Sequence, residues 1–273
     1  MRHTCLFAGL LFGFLYAPLL QAQKIDTIRM VWTDNHSALL LPVDIDGHPP
    51  TRYMQFDLGA AGTLFYKNAL PGFTDTLRNF SFRVGGMRFS LPAIPVKAAG
   101  APGRIIGTLG ADFIDGRVVI FDYPHHRLLL ADSLPASYSV RWQPFYFPGR
   151  RVLLPATIGG KQTILYFDTG SSAYSLLTDS VTWARMAAKD AIATHTPVNS
   201  WGRTLVAHTV ATGDSIGMAG LMLPLRQVSY ISGASVAQEE QMKKMGMGGL
   251  IGNLLFMERV LVLDTRKQRF VLQ

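Results

Sequence analysis

Two short segments of this chain carry residue types suited to acid–base chemistry, and they read as copies of one another: Phe56-Asp57-Leu58-Gly59-Ala60-Ala61 and Phe167-Asp168-Thr169-Gly170-Ser171-Ser172. Two carboxylates held a few ångströms apart cannot both ionise easily, so they share a proton and offer a general base beside a general acid. Water held between such a pair becomes a nucleophile. The protonated partner stabilises the oxyanion growing on an attacked carbonyl, and no covalent intermediate is needed. Gly59 and Gly170 suit a tight corner that backbone and substrate must both approach, because glycine has no Cβ.

The elements that would bring these corners together are legible as an internal repeat. Gly110-Ala111-Asp112-Phe113-Ile114 opens a stretch running to Leu130, and Gly252-Asn253-Leu254-Leu255-Phe256 opens one running to Leu272. They align without a gap, Arg117 on Arg259, Asp122 on Asp264 and Arg127 on Arg269. Each reads as two apolar strands joined by a polar turn, Val118 to Phe121 with Leu128 to Leu130, and Val260 to Leu263 with Phe270 to Leu272. Upstream, Leu41-Pro42-Val43 with Asp46-Gly47 leads to Asp57, and Leu154-Pro155-Ala156 with Gly159-Gly160 leads to Asp168. Each unit is therefore strand, turn, strand, Asp-x-Gly corner, variable middle, apolar-Gly segment and hairpin, which predicts a mostly β chain. The middle of the second half is longer and holds the best helix signals. Asp179 caps a helix with Trp183, Met186 and Ala187 on one face, and Ser235 caps a second through Gln238 and Met242 that stops at Gly246. Turn-rich segments from Ser133 to Arg150 bracket the boundary between the halves.

With the two Asp-x-Gly corners and the apolar-Gly segments Thr108-Leu109-Gly110 and Leu250-Ile251-Gly252, nearly the whole chain after its leader resembles the pepsin and retropepsin superfamily of aspartic peptidases. The resemblance implies a bilobal pepsin-like acid-protease fold of two duplicated retropepsin-like β-barrel lobes, one over 23–140 and one over 141–273, with small helices mainly in the second. It implies Asp57 and Asp168 as the catalytic pair, supported by Leu58, Gly59, Thr169, Gly170 and Ser171. Leu109, Gly110, Ile251 and Gly252 would then pack beneath them. The implied reaction is endopeptidase cleavage of a polypeptide lying between the lobes. Leu58 stands where the family has Thr or Ser, whose hydroxyl bonds across the lobe interface, and Ala60 lacks the hydroxyl that Ser171 offers to its aspartate. No Tyr-Gly-Thr-Gly-like flap occurs in the first half, where the Phe82 to Phe89 hairpin with its Gly85-Gly86 turn offers the one cover for a cleft. The same corners also fit a catalytically inactive exported protein that binds peptide or glycan in the cleft, or a structural partner in an envelope assembly.

Arg2 and His3, the apolar run from Leu6 to Leu20 and the small residue Ala22 read as a signal peptide over 1–22, so the protein is expected to be exported, periplasmic or secreted. The one cysteine, Cys5, falls inside that leader, which removes disulfides, thiolate metal sites and cysteine nucleophiles from consideration. Cys5 also precedes the apolar run, the wrong place for a lipid anchor. No later stretch is long and apolar enough for a spanning helix. The formal net charge of +8 is scattered, with local clusters at Arg150-Arg151 and Lys243-Lys244 and no basic stripe interleaved with aromatics, so no nucleic-acid partner is expected. His125-His126 lies in a hairpin turn without a matching ligand cluster, and Gly246-Met247-Gly248-Gly249 lacks the Lys and hydroxyl of a phosphate loop. The expectation is thus a monomer with no metal and no cofactor. Asp122 and Asp264 each open a hairpin turn, where aspartate is favoured for turn geometry.

Overall fold

The fold is known from a computed structural model, which describes residues 25–46, 51–67, 69, 78–96, 104–134, 141–200, 203–233 and 247–273. The leader with Cys5, the helix signal from Ser235 to Gly246 and the Lys243-Lys244 cluster lie outside the described residues. The chain is mostly β, with one α-helix, Ser180–Met186, among the described residues. None of its helices there is long and apolar enough to cross a membrane.

Continuous apolar runs become strands covered on both faces. Val118–Asp122 and Val260–Asp264 are two such runs, and each returns through a polar turn as Arg127–Ala131 and Arg269–Leu272. His126 and Gln268, matched in the repeat, take positive φ of 51° and 47° at the same place in the two turns. The hairpins join edge to edge, with Val119 opposite Leu263, Ile120 opposite Val262 and Phe121 opposite Leu261. Ile120 and Val262 are counterparts in the repeat, so the register is symmetric about that pair. Ile25–Arg29 and Gln143–Pro144 close the two edges of this six-stranded sheet, to which both halves of the chain contribute.

Each half also builds a hairpin that ends at its aspartate. Leu39–Val43 pairs with Arg52–Phe56, and Leu153–Ile158 with Lys161–Phe167. The second turn is Gly159-Gly160, both at positive φ (55° and 77°), as a two-residue hairpin loop of this kind requires. Parallel to each Asp strand runs the apolar-Gly strand, Ile105–Leu109 in one half and Met247–Ile251 in the other. Both parallel pairs carry a register irregularity just before the aspartate strand's last three residues, between Tyr53 and Met54 and between Ile164 and Leu165.

A ladder of buried rings underlies the aspartate strands. Phe121, from the six-stranded sheet, stacks on Phe56 with centroids 5.8 Å apart and meets Phe167 edge-on at 5.6 Å. Phe56 and Phe167 immediately precede Asp57 and Asp168, so one ring from the common sheet supports both loops. Such pairs contribute about 0.5–1.5 kcal/mol each beyond their buried area.

The middle segments differ, as the unequal lengths require. In the first half the Arg78–Val84 and Met87–Val96 hairpin is anchored at its turn, where the Met87 N–H donates to Asp26 Oδ2 at 3.0 Å. Phe82, Val84 and Phe89 are buried in the core. This hairpin, the sequence's candidate cover for a cleft, is therefore fixed by its apolar face and tied to the first strand. In the second half the helix starts where its cap signal stands. Asp179 accepts from the Val181 and Thr182 N–H groups, both at 3.0 Å, Met186 is buried, and Trp183 and Ala187 pack partly against the core. Burial works against the Asp179 charge, but the N–H groups of Thr182 and Val181 outweigh it and hold the carboxyl below its usual range. Asp179→Ala should cost about 0.5–2 kcal/mol at neutral pH. A depressed folded-state pKa stabilises above the unfolded value and is lost as pH falls through the folded one. The wild-type advantage in thermal melts should accordingly shrink below about pH 4.

Candidate active site

Each aspartate emerges from the end of a strand into a loop held by the same set of bonds. The Asp57 N–H donates to Leu109 O at 3.0 Å, and the Asp168 N–H to Ile251 O at 2.9 Å. The Gly59 N–H donates to Asp57 Oδ1 and the Gly170 N–H to Asp168 Oδ1, both at 2.8 Å. The Ala60 N–H returns to Asp57 O and the Ser171 N–H to Asp168 O, both at 3.2 Å. These contacts turn each carboxylate out of its strand with one oxygen already committed, so its orientation is set before anything binds.

The two loops face one another, and each carboxylate lies against the glycine of the opposite loop. A Cβ placed on Gly59 would lie 2.8 Å from Asp168 Oδ1, and one on Gly170 would lie 2.4 Å from Asp57 Oδ1. The glycines are thus the space into which the opposite carboxylate fits. Asp57 keeps some solvent access, yet protein crowds it. Burial first, then the charge of Asp168 and the hydrogen bond with it, push its pKa well up, against the opposing Gly59 and Ala60 amides.

The apolar-Gly segments lie against the loops. A Cβ on Gly110 would come within 2.4 Å of Gly62 O, and one on Gly252 within 2.0 Å of Ser171 O. Leu109 and Ile251 are fully buried there. Between the two loops, Thr169 Oγ1 donates to Phe56 O at 2.8 Å and accepts from the Leu58 N–H at 2.9 Å. The Leu58 side chain is wholly buried and makes no such exchange in return. Ser171 Oγ donates to Asp168 Oδ2 at 2.9 Å, a bond Ala60 cannot offer Asp57.

The structure adds residues that the sequence reading passed over. Asp112 holds the first loop by accepting from the Thr63 N–H at 2.9 Å and Thr63 Oγ1 at 2.8 Å. Asn253 holds the second loop, with Nδ2 donating to Thr169 O at 3.0 Å and Ser172 Oγ at 3.1 Å, and it links the halves by accepting from Tyr123 Oη at 2.6 Å. Tyr166 Oη crosses between the loops to Leu58 O at 2.9 Å. A polar residue one or two places after each apolar-Gly segment was the visible signal for Asp112 and Asn253. No repeat-level signal marked Tyr166, whose counterpart is Gln55.

Asp122 and Asp264 serve their turns. Asp122 binds Arg127 and His125, and although burial works the other way, these hydrogen bonds and the Arg127 charge hold its carboxyl below the usual range. Asp264 accepts from the Lys267 N–H at 3.1 Å and Arg269 Nε at 2.9 Å. His126 Nδ1 accepts from Trp32 Nε1 at 3.3 Å. Among the described residues no group of three or more His, Cys, Asp or Glu side chains is arranged to hold a metal ion. Compared with known proteins, the chain matches no protein-family model and no curated protein.

Proposed function

We propose that this chain is an exported aspartic-type endopeptidase of pepsin-like, two-lobed architecture, with lobes over 23–140 and 141–273 and with Asp57 and Asp168 as its catalytic dyad. The observation that carries the reading is the placing of the two carboxyls, each held by its own loop's glycine N–H and lying against the glycine of the opposite loop, on equivalent loops in the two halves of the chain. The symmetric register of the six-stranded sheet supports the duplication behind it.

In this reading Asp57 holds the shared proton and Asp168, accepting from the Gly170 N–H and Ser171 Oγ, carries the charge. A water between them attacks the peptide carbonyl carbon as Asp168 takes its proton and Asp57 gives its own to the carbonyl oxygen. The neutral tetrahedral diol then collapses. Asp168 passes its proton to the departing nitrogen, the C–N bond breaks, and Asp57 regains a proton from the diol hydroxyl, leaving a carboxylic acid and an amine. The polypeptide would lie in the cleft between the lobes.

The test is cleavage of an unfolded polypeptide by the purified protein across acid and neutral pH, followed by mass spectrometry of the products. Internal cleavage supports the reading. Complete inactivity of a folded protein against varied polypeptides sinks it and favours the second reading, a cleft that binds peptide or glycan without cutting, for which the hydroxyl missing at Leu58 is the motive.

Ser171 gives a finer check. Because its hydroxyl favours the charged form of Asp168, Ser171→Ala should make ionisation of the dyad harder and move the acid limb of the kcat/KM profile to higher pH. An acid limb that stays in place or moves down removes the basis for assigning the charge to Asp168.

A further inference from the structure

The lock between the two Asp loops is built asymmetrically. Thr169 on the second loop engages both Phe56 O and the Leu58 N–H of the first. Leu58, the counterpart of Thr169, has an apolar side chain turned into the core and cannot reciprocate. A different group makes the second crossing. Tyr166 Oη donates to Leu58 O at 2.9 Å, so the residue whose side chain lacks the hydroxyl is gripped on its N–H by Thr169 and on its carbonyl by Tyr166.

Tyr166 is well placed to be rigid. It lies two residues before Asp168 in the Lys161–Phe167 strand, between Leu153 on its antiparallel side and Leu250 on its parallel side. Its backbone therefore moves only with the strand that carries Asp168. Burial, and then the charges of Asp168 and Asp57, push the ionisation of this phenol far up, partly opposed by Arg151, so it remains a hydrogen-bond donor wherever carboxyl chemistry operates. Gln55 occupies the matching place in the first half.

We infer that Tyr166 is a positioning residue that substitutes for the missing hydroxyl at residue 58, fixing the Asp57 loop against the Asp168 strand by holding the Leu58 carbonyl. The inference rests on the peptidase reading for its catalytic consequence and on the hydrogen-bond network alone for its structural one. Tyr166→Phe keeps the ring and removes only the donor. It should lower kcat by about 3- to 10-fold, the equivalent of one hydrogen bond, with KM nearly unchanged. The Asp57 titration, followed by carboxyl carbon NMR, should move part of the way down, because the influence of Asp168 weakens as the loop loosens while burial, the larger cause of the upward shift, stays. Leu58→Thr should raise kcat by a larger factor in Tyr166→Phe than in the wild-type background, because a hydroxyl at 58 can make the reciprocal bond and only the variant lacks a second crossing.

Equal effects of Leu58→Thr in both backgrounds would overturn the substitution. A raised KM at constant kcat would make Tyr166 a substrate contact instead, and would also overturn it. A lowered melting temperature with an unchanged Asp57 titration would reduce Tyr166 to a structural bond. If the wild-type protein cleaves no polypeptide, the peptidase reading fails by itself, and the tyrosine is judged by the Asp57 titration and by amide exchange at Leu58, Gly59 and Ala60. Protection and titration unchanged in Tyr166→Phe would overturn the inference in that case.

Discussion

Asp57→Asn and Asp168→Asn should each lower kcat/KM by roughly 10²–10⁴-fold, the span over which a positioned acid or base acts. Neither carboxyl is spare, since one must take the proton of the water and the other must supply the carbonyl oxygen with its own. The two substitutions should nevertheless differ in their effect on stability. Asp57 has a folded-state pKa raised by burial and by Asp168, so the folded protein binds this proton more tightly than the unfolded chain. Such a group contributes stability that is fully present below the unfolded pKa and is lost as pH rises through the folded one. Asp57→Asn removes that slope. Urea unfolding between pH 4 and 8 should show the wild type losing stability relative to Asp57→Asn as pH rises, even as the variant loses activity. Retention of wild-type turnover by either variant would show that the aspartates are not a catalytic pair, whereas parallel pH–stability curves would show that Asp57 is not the residue holding the proton.

Gly252→Ala should be nearly as damaging without touching a reacting group. Its added methyl would lie 2.0 Å from Ser171 O and 2.6 Å from Tyr174 O, both backbone atoms of the loop that carries Asp168. No side-chain rotation relieves such a contact, so the loop itself must shift by on the order of 1 Å, a misplacement that can cost about 10²-fold in rate. The same loop is bonded to the Asn253 side chain and crosses to Leu58 through Thr169, so the shift should reach both aspartates. Gly213→Ala is the matched control, because nothing lies within 4 Å of its added Cβ and its φ is not in the left-handed region. Comparable kcat/KM for Gly252→Ala and Gly213→Ala would mean that this packing does not position Asp168.

The aspartates, their glycines and the apolar-Gly segments stand out in the sequence because a repeated pattern of corner, strand and hairpin needs the same residue types at the same places in both halves. The hairpins at Val118 and Val260, the strands leading to Asp57 and Asp168, and the helix capped by Asp179 are local features, set by apolar runs, turn residues and one capping side chain, and they lie where those signals fall. Leu58 was legible as a departure for the same reason, since the repeat supplies Thr169 as its standard of comparison.

What compensates for Leu58 was decided only by tertiary structure. Tyr166 and Leu58 are far apart in the chain and belong to different halves, so the bond from Tyr166 Oη to Leu58 O depends on how two loops are docked and on nothing local to either. The same holds for the partners of Asn253: a polar residue just after the apolar-Gly segment is visible in the sequence, but its bonds to Tyr123 and into the Asp168 loop are not. It holds again for the Phe82–Phe89 hairpin, whose alternating apolar residues announce a strand pair but do not say which surface will cover it. Local pattern determined which segments are strands and which carboxylates recur in this protein. Hydrogen bonds between segments remote in sequence determined that those carboxylates meet and what holds them there, because such bonds are specified by the docking of already formed elements.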